Sequence, residues 1–544
     1  MSLVIGFDLG THQTKICVQD ATNPAEKTYH FLEFEIPDGT KTVLFPSVVQ
    51  INKDHTISYG FINEDDVLFF KKDCGSKPEL ILLEEPDEPK YPSFKHSKLP
   101  AKPKFDPWTD NLKKLKGEKT DLELWETECE NIKNREKRLW ERECAYIKKT
   151  YESTLSDIKN KNEKIRKEYQ ARLSDWKKNS IPEKLLFRYF KLHALTGVGE
   201  WHHNYVKSKD ICVLYITYIL LILKNKYGDD FSIQFGVPCG AAHTQRDKAI
   251  TKRTYEVFIA ASDLADNFND IDEYLSTPFE EIFPLIEYKS INTDLINQYY
   301  FDDIPEAFAG LVAVTLQKKL GDGFHLLVDI GGGTTDVAIF CVDKDNKDKN
   351  KLLPNVLHVS SFPKGINFIL QEASKDEKLL IEEIQDMFHY NPKASLFKGA
   401  ISNYRSELAK HSKSIIKRLE ESFMSSYSHH ERKLEELRNV MKGQPIIFGG
   451  GGGTFKVLQT SLHPFSDIRQ INKSMLGIRN LVTTDISEDI FTILSTSYGL
   501  ASFEKSYESE IKCTDIAVAF EAFLPKKYKS YDDLYKHDYG LSDW

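Results

Sequence analysis

The chain has 544 residues, 40% of them hydrophobic, and a formal net charge of -9, which is typical of a folded protein with two or more domains. The net negative charge argues against nucleic acid as the main partner, because phosphate backbones are bound by basic surfaces. The eight cysteines include no Cys-x-x-Cys pair, and the sixteen histidines have no metal-site spacing. Reduced cysteines in a cytoplasmic protein are therefore expected. The first residues lack the basic segment and cleavage site of a signal peptide.

Two glycine-containing stretches share one pattern. Val4–Gln19 runs from apolar residues through Asp8 and a Gly-Thr turn into a second apolar run, and Phe324–Phe340 repeats this order with Asp329 and three glycines. Each stretch predicts two strands joined by a tight turn, and their similarity suggests an internal duplication. The bare amides of such turns bind phosphate, and an aspartate at the strand end suits Mg²⁺ held through water. For one isolated stretch, a glycine-rich hairpin without a ligand is an equal alternative.

A region of different composition lies between these stretches. Lys77–Lys104 is rich in proline and charge, which predicts a linker or an extended excursion. Between Gly117 and Pro182 there is no glycine or proline and apolar residues recur at spacings of three and four, which predicts a helix over Thr120–Lys178 that is about 90 Å long if continuous. Such a helix either protrudes or folds back as a helical hairpin. A partner-binding arm and an insertion packed on its own domain are equally compatible with its mixed charges.

We call the heptad-like apolar row of this helix the seam. It comprises Ile147, Tyr151, Leu155, Ile158, Asn162, Ile165, Tyr169, Leu173 and Trp176.

The remaining segments alternate between predicted strands and helices. Ile211–Leu223 is the most apolar, but about thirteen residues are too few to span a bilayer, so it predicts a core helix. Phe231–Pro238 predicts a strand that is followed by a helix, as in α/β proteins. Ile304–Leu316 predicts a helix with Glu306 in its first turn, where a carboxylate ordinarily acts as a cap. Gln444–Leu458 predicts a strand, five glycines and then a helix, which lets a ligand approach the backbone closely.

Taken together, these segments resemble the ATPase domain of the seventy-kilodalton heat-shock (DnaK-type) chaperones, within the actin–hexokinase–chaperone superfamily. The resemblance covers roughly Val4–Gly75 and Leu186–Lys505. Its motifs, in order, are FDLGT at Phe7–Thr11, FPSVV at Phe45–Val49, FKKDCG ending at Gly75, GVP and QR at Gly236–Arg246, PEA at Pro305–Ala307, DIGGGTTD at Asp329–Asp336 and FGGGG at Phe448–Gly452. It implies an α/β, two-lobed actin-like ATPase fold of duplicated ribonuclease-H-like domains, here with a long helical or coiled-coil insertion.

The resemblance also implies a site for ATP or ADP with Mg²⁺. Asp8 and Asp329 would hold Mg²⁺ through water, and Lys71 would orient the attacking water. Glu306 and Asp336 would complete the catalytic network of water and metal. Contacts to the nucleotide would come from Gly10, Thr11, His12, Gly331, Gly332, Gly333, Thr334, Thr335, Glu407, Lys410, His411, Ser414, Gly449, Gly450 and Gly451.

The chain departs from the family at the adenine side and at its end. His411 and Gly453 stand where the family has arginines, so a weaker adenine contact is expected. Only about forty residues follow the ATPase domain, too few for the chaperones' peptide-binding domain and lid. The expected organisation is lobe I at 1–76 and 186–320, with an excursion and helical arm at 77–185, then lobe II at 321–364 and 444–506, with a helical subdomain at 365–443, and a tail at 507–544.

These features predict a slow, Mg²⁺-dependent ATPase that changes conformation with its nucleotide and signals that state to an unidentified protein partner through the helix at 120–178. An actin-like filament-forming ATPase and a nucleotide-binding pseudoenzyme are the alternatives. A kinase of the sugar-kinase branch is disfavoured, because no convincing catalytic aspartate is found. No nucleic acid or membrane partner is expected, and the sequence leaves the oligomeric state open.

Overall fold

A computed structural model describes residues 3–23, 26–36, 39–70, 76–180, 183–197, 202–203, 206–238, 245–315, 320–342, 355–377, 381–428, 430–483, 486–504 and 515–523. The chain forms two compact units. We call residues 1–69 with 184–544 the main unit, and residues 70–183 the arm unit.

The strands, numbered along the chain, are β1 (Leu3–Asp8), β2 (Gln13–Asp20), β3 (Thr28–Phe31), β4 (Phe34–Glu35), β5 (Lys41–Thr42), β6 (Phe45–Pro46), β7 (Val48–Ile51), β8 (Ile57–Tyr59), β9 (Phe69–Phe70), β10 (Glu183–Lys184), β11 (Leu186–Arg188), β12 (His202–His203), β13 (Val206–Lys207), β14 (Phe231–Val237), β15 (Phe301–Pro305), β16 (Gly323–Ile330), β17 (Thr335–Val342), β18 (Asn355–Phe362), β19 (Pro445–Gly449) and β20 (Asp467–Gln470).

The helices are α1 (Pro107–Leu115), α2 (Asp121–Ser180), α3 (Phe190–Thr196), α4 (Ser208–Tyr227), α5 (Gln245–Ala265), α6 (Ile271–Ser276), α7 (Phe279–Ile282), α8 (Thr293–Tyr299), α9 (Glu306–Thr315), α10 (Ile366–Glu377), α11 (Ile381–Tyr390), α12 (Ser395–Ser426), α13 (Glu431–Met441), α14 (Gly450–Gly453), α15 (Lys473–Leu476), α16 (Glu488–Ser502) and α17 (Ile516–Phe523).

Two mixed sheets of the same topology form the centre of the main unit. The strand order is β15-β14-β1-β2-β3 in the first sheet and β20-β19-β16-β17-β18 in the second. In each, an antiparallel hairpin carries a third antiparallel strand on one side and two parallel strands on the other. This repetition confirms the duplication that the two glycine-containing stretches suggest. We call the parts built on these sheets the first half and the second half of the main unit.

Both faces of the second sheet are covered, which explains why its strands are apolar throughout. Alternate residues of β16 point to opposite faces: Leu326 and Val328 belong to a core with residues of α10, α12 and α13, whereas Leu327 belongs to a core with residues of α9 and α16. Helix α17 joins the first of these cores, where Phe520 packs against Phe423 at 5.1 Å between ring centroids. The tail of the chain thus contributes a helix to the main unit.

Two segments differ from the sequence prediction in their bounds. The apolar run at Ile211–Leu223 lies inside α4, a longer core helix, and no helix of the described part of the chain is both long and apolar enough to cross a membrane. The prediction of a helix after the five glycines is wrong, because Gly450–Gly453 themselves form the short helix α14 directly after β19.

In the arm unit, α2 is one continuous helix of 60 residues and not a helical hairpin. The extended segment that precedes α1 runs along α2, with Trp140 Nε1 donating to the carbonyl of Pro92 at 2.7 Å and Trp125 Nε1 to that of Pro100 at 2.9 Å. The role of this unit as a partner-binding arm stays a prediction.

Candidate functional site

The turns of the β1–β2 and β16–β17 hairpins line a common cavity of about 550 Å³ in the main unit. The sequence-predicted residues that line it are Asp8, Gly10, Thr11, His12, Glu306, Asp329, Gly331, Gly332, Thr334, Asp336, Gly450 and Gly451. Those that the structure describes outside its lining are Gly333, Thr335, Glu407, Lys410, His411, Ser414 and Gly449. The predicted catalytic residue Lys71 falls outside the described residues.

The first turn is held by Ser47, which precedes β7. The Ser47 hydroxyl donates to the Gly10 carbonyl at 2.8 Å, and its backbone N–H donates to the His12 carbonyl at 2.8 Å. Because these carbonyls are already engaged, the turn keeps a fixed shape while its side towards the cavity carries Thr11, which is buried.

The second turn is held from the segment that opens α10. Gly331 N–H donates to the Thr334 carbonyl at 2.9 Å, and the N–H groups of Ile366 and Asn367 donate to the carbonyls of Gly331 and Gly332 at 3.1 and 2.8 Å. A Cβ atom at Gly332 would lie 2.1 Å from His12 Cδ2. Glycine is therefore required here for the second turn to approach the first.

The third glycine cluster closes on Asp329. Gly450 has a φ of +73°, and a Cβ atom there would lie 2.1 Å from Asp329 Oδ1. Only glycine fits both the backbone angle and the space. The Thr496 hydroxyl of α16 donates to Asp329 Oδ2 at 3.0 Å, so the aspartate is fixed between β16, α14 and α16.

Register within the hairpins pairs each aspartate with a different residue. Asp8 lies opposite Lys15, and Lys15 Nζ is 2.7 Å from Asp8 Oδ2. In the second hairpin, Asp329 lies opposite Asp336. The first hairpin thus brings an acid and a base to the cavity, and the second hairpin brings two acids.

The acidic pair of the second half resists ionisation. Burial, and next the charge of Asp8, raise the pKa of Asp329 to about 6. Burial, followed by the charges of Glu306 and Asp329, raises the pKa of Asp336 well above its usual range. Carboxylates so disposed favour a bound cation, because a cation stabilises their charged forms.

A buried lysine faces the carboxylate of Glu306. Lys191, on α3, places Nζ 2.6 Å from Glu306 Oε1, and both side chains are largely buried. Burial by itself would lower the pKa of Lys191, but the charges of Glu306 and Asp8 outweigh it and raise the pKa above its usual value. Glu306, the first residue of α9, is therefore held in an ion pair rather than acting only as a helix cap.

His12 connects the two halves of the main unit. Its Nε2 lies 2.5 Å from Asn367 Oδ1, and its Nδ1 lies 3.3 Å from Gln385 Nε2. An imidazole that donates from Nε2 and accepts at Nδ1 satisfies both contacts. The Tyr189 hydroxyl donates to Gln385 Oε1 at 2.7 Å. We call these four residues the clasp. Burial lowers the pKa of His12 to about 4.

The predicted adenine contacts on α12 are engaged elsewhere. Glu407 pairs with Lys364 at 3.5 Å and with Lys410 at 3.2 Å, and His411 Nε2 lies 3.1 Å from Ser360 Oγ. Ser414 accepts a hydrogen bond from Arg418 at 3.3 Å. Their roles at a nucleotide stay predictions.

Thr335 faces the interior. It donates to the Lys364 carbonyl at 2.8 Å, and the Tyr404 hydroxyl lies 2.6 Å from its Oγ1. This hydroxyl anchors the second hairpin to α12, which is a structural contact. Its predicted contact with the nucleotide is untested.

No group of three His, Cys, Asp or Glu side chains in the described part of the chain is arranged to bind a metal ion directly. The predicted Mg²⁺ site, held through water by Asp8 and Asp329, does not require such a group. The oxygen donors and the raised pKa values of Asp329 and Asp336 fit a hard cation.

Two lysines of the cavity, Lys15 and Lys191, were missed by sequence reasoning. Lys15 could have been found from the register of the first hairpin, since a two-strand pattern with a short turn pairs it with Asp8. Lys191 carries no local signal, because its contact with Glu306 joins residues that are 115 positions apart.

No protein-family model matches the chain, and none of the curated proteins matches it. Among solved structures, it is similar to the ethanolamine utilization protein EutJ from Carboxydothermus hydrogenoformans, with 16% identity and a TM-score of 0.23 over 39% of this chain and 60% of that one. It is also similar to a chain of the PilM–PilN type IV pilus biogenesis complex, with 11% identity and a TM-score of 0.30 over 56% of this chain and 88% of that one. Such scores carry no inference about function.

Proposed function

We propose that the chain binds ATP with Mg²⁺ in this cavity and hydrolyses it slowly. One observation carries the proposal: two topologically equivalent turns meet over four carboxylates, Asp8, Asp329, Asp336 and Glu306, which outnumber the three cationic side chains that line the cavity among the described residues, Lys15, Arg188 and Lys191. A site with free backbone amides and excess negative charge suits a phosphate chain that arrives with its own cation.

The chain's residues divide the binding between them. Backbone N–H groups of the two turns and Lys15 Nζ would bind phosphoryl oxygens, and Asp8 and Asp329 would hold the water shell of the cation. When bound, Mg²⁺ supplies positive charge to the phosphoryl oxygens. The raised pKa of Asp329 then falls, because a nearby cation favours its ionised form.

Hydrolysis requires a water molecule aligned with the terminal phosphorus. Glu306 accepts a hydrogen bond from this water, and Lys191 holds Glu306 in position. The water oxygen forms a bond to phosphorus, the bridging oxygen leaves with the diphosphate, and the water proton passes to a Glu306 oxygen. In-line transfer of this kind depends on positioning and charge more than on covalent catalysis.

Calorimetry of the full chain with ATP, ADP and tripolyphosphate tests binding. Both nucleotides are expected to bind in the presence of Mg²⁺, and at least about 10-fold more weakly when EDTA removes it, as one lost charge-assisted contact corresponds to about 1.4 kcal/mol or more. Absence of binding by all three ligands in the unmodified chain would contradict the proposal.

A nucleotide-binding pseudoenzyme is the second candidate, and the 2.6 Å contact between Lys191 and Glu306 favours it. An oxygen of Glu306 that is engaged by this lysine is less available to position a water molecule. Steady-state phosphate release separates the two candidates: hydrolysis predicts release that Glu306→Gln lowers without loss of ATP binding, whereas a pseudoenzyme releases no phosphate above the rate of the Glu306→Gln variant.

Switching between nucleotide states would act through the clasp, because its hydrogen bonds join residues of the two halves of the main unit. Closure around ATP and opening with ADP predict that protease protection of the chain differs between the two nucleotides.

The filament alternative predicts pelletable polymer in the presence of ATP and Mg²⁺, which sedimentation at high protein concentration measures.

A further inference from the structure

The arm unit contains an extended segment, residues 77–105, which we call the strap. It runs antiparallel to α2, with Leu83 at Asn162, Pro92 at Trp140 and Pro100 at Trp125. From the first to the last contact the strap advances 17 residues and the helix 37. Both correspond to about 55 Å, for an extended chain and for a helix respectively. The strap therefore follows α2 in a fully extended form.

The helix binds the backbone of the strap and also contacts its side chains, with Phe94 against Trp140 at 5.5 Å between ring centroids and His96 Nδ1 3.5 Å from Glu136 Oε2. Asn162 accepts from the Leu83 N–H at 2.8 Å and donates to the Leu83 carbonyl at 2.9 Å, and the indole N–H groups of Trp125 and Trp140 donate to proline carbonyls. Prolines recur every third residue in the middle of the strap, at 86, 89 and 92, which matches the three-residue turn of polyproline II. Recognition of this kind needs an extended, proline-containing segment but not a segment of the same molecule.

Charge fixes the direction of the strap. Residues 78–89 carry five acidic and no basic side chains, and they follow the part of α2 at residues 144–177, where nine Lys or Arg face five Asp or Glu. Residues 90–104 carry five lysines and no acid, and they follow residues 121–143, where eight acidic side chains face five basic ones. A segment running the other way would place like charges together.

The strap is connected to α2 through α1 and a short joint, and α1 and α2 are capped separately. Asp106 caps α1, and Thr120 and Glu123 cap the start of α2 reciprocally at 2.9 and 3.2 Å. Gly117 lies between them with a φ of +71° and open space around its Cα. Opening this joint leaves both caps intact.

Helix α1, beside this joint, buries an acidic residue and exposes apolar ones. Its buried residue is Asp110, whereas Trp108, Leu112 and Leu115 are 84%, 50% and 87% exposed. These three apolar residues share one face, at positions i, i+4 and i+7. Such a face is typical of a surface that is covered in an assembly.

We propose that α2 is a binding face for the strap of a second copy of this chain, and that two copies associate by exchanging straps across the joint at residues 116–119. Every contact described above is then made between copies in place of within one, so exchange loses no bond at the strap. The two α1 helices meet where the chains cross, which covers their apolar faces. High protein concentration favours exchange, because the strap of the same chain otherwise has the higher effective concentration.

Cross-linking of paired cysteine variants tests this proposal in the full chain. Ser97 and Glu136 are neighbours across the strap and helix, since Glu136 accepts from the Ser97 N–H at 3.2 Å. A chain carrying both Ser97→Cys and Glu136→Cys is expected to close internally with a short bismaleimide. An equimolar mixture of the two single variants, incubated at high concentration, is expected to give a covalent dimer well above the amount from either variant alone. Internal closure of the double variant with no dimer in the mixture would overturn the proposal.

Charge reversal provides the matched comparison. Replacing Glu84, Glu85, Asp87 and Glu88 by lysine is expected to lower the cross-linking yield at least about 10-fold, both within one chain and between two chains, since basic residues then follow the net basic part of α2. A control variant reverses the same number of acidic residues in the main unit, at Asp229, Asp272, Glu281 and Glu287, and should leave the yield unchanged. Equal yields from the two reversed variants would overturn the role of charge in the exchange.

Discussion

The two hairpins of the main unit share strand order, direction and an aspartate at the end of the first strand, yet they differ at the residue opposite that aspartate. In the first hairpin it is Lys15, 2.7 Å from Asp8, and in the second it is Asp336. One copy of the duplicated unit therefore carries its own cation, and the other has a deficit of positive charge. This divergent position contributes to the difference in charge between the two sides of the cavity.

The absence of a lysine opposite Asp329 in the register leaves this aspartate without an ion-pair partner within its own hairpin. Burial and the charge of Asp8 raise the pKa of Asp329 to about 6. A cation bound beside the second hairpin would therefore stabilise the ionised forms of its aspartates.

The largest effect is expected from Asp329→Asn. Loss of the carboxylate should weaken binding of ATP with Mg²⁺ by at least about 100-fold, or roughly 3 kcal/mol, as is usual when a charged contact in a buried site is removed. Calorimetry with and without Mg²⁺ measures the change. The exposed Asp386 of α11 provides the control, since Asp386→Asn makes the same substitution outside the cavity.

The same variant should stabilise the ligand-free chain, with a defined pH dependence. The folded pKa of about 6 exceeds the ordinary value of 3.8, so the native wild-type chain holds the extra proton between these values and loses stability as the pH rises through 6. The variant lacks this loss. The difference in free energy of unfolding between the variant and the wild type should therefore grow from near zero at pH 4 to at most about 3 kcal/mol above pH 7. Denaturant unfolding at several pH values measures it, and a constant difference would contradict the assignment.

Glu306→Gln should separate hydrolysis from binding. We expect phosphate release to fall by about 10- to 100-fold, the usual contribution of a positioned general base, while calorimetric affinity for ATP stays within about threefold. Lys191→Met is the companion variant, because it leaves Glu306 without its partner at 2.6 Å. If both variants release phosphate at the wild-type rate, neither residue acts on the water.

Local patterns in the sequence predict much of this fold and part of the site. The hairpins follow from apolar runs around glycine turns, and α2 from a long region without glycine or proline, because both depend on near neighbours in the chain. Gly331, Gly332 and Gly450, which the sequence predicts as nucleotide contacts, line the cavity. Glycine clusters of this kind are visible in the sequence because they allow a close approach of the backbone.

Features that depend on tertiary contact could not be predicted in this way. The ion pair of Lys191 with Glu306 and the contact of Asn162 with Leu83 join residues 115 and 79 positions apart. The seam of α2 has the spacing of a coiled coil, and the sequence does not show that a proline-rich strap of the same chain runs along this helix. Likewise, the side chains of α12 fit a family pattern, but Lys364 and Ser360 engage two of them.

A smaller effect is expected from substitution of His12. This residue bears on the comparison of the two turns because the first turn places its imidazole against Gly332 of the second. Burial lowers its pKa from 6.5 to about 4. Stability should therefore fall as the pH drops below 6.5, by about 2 kcal/mol at pH 5, since the unfolded chain then binds the proton more readily. His12→Gln should be less stable at pH 8 but should lack this acid-dependent loss. Parallel unfolding curves for the two proteins across pH 5–8 would contradict the assignment.

The smallest expected effect is that of Lys15→Met, which removes the one difference that supplies the first hairpin with its own cation. The affinity for ATP with Mg²⁺ should fall about 10-fold, the value of one charge-assisted contact to phosphate. Its dependence on Mg²⁺ should rise, because Asp8 loses its ion-pair partner and then depends on the metal for charge compensation. The exposed Lys393 gives the control, as Lys393→Met. Titration of Mg²⁺ at fixed ATP distinguishes the two roles of Lys15. An unchanged Mg²⁺ midpoint would show that Lys15 contacts phosphate but does not compensate the charge of Asp8 together with the metal. The two hairpins would then act independently.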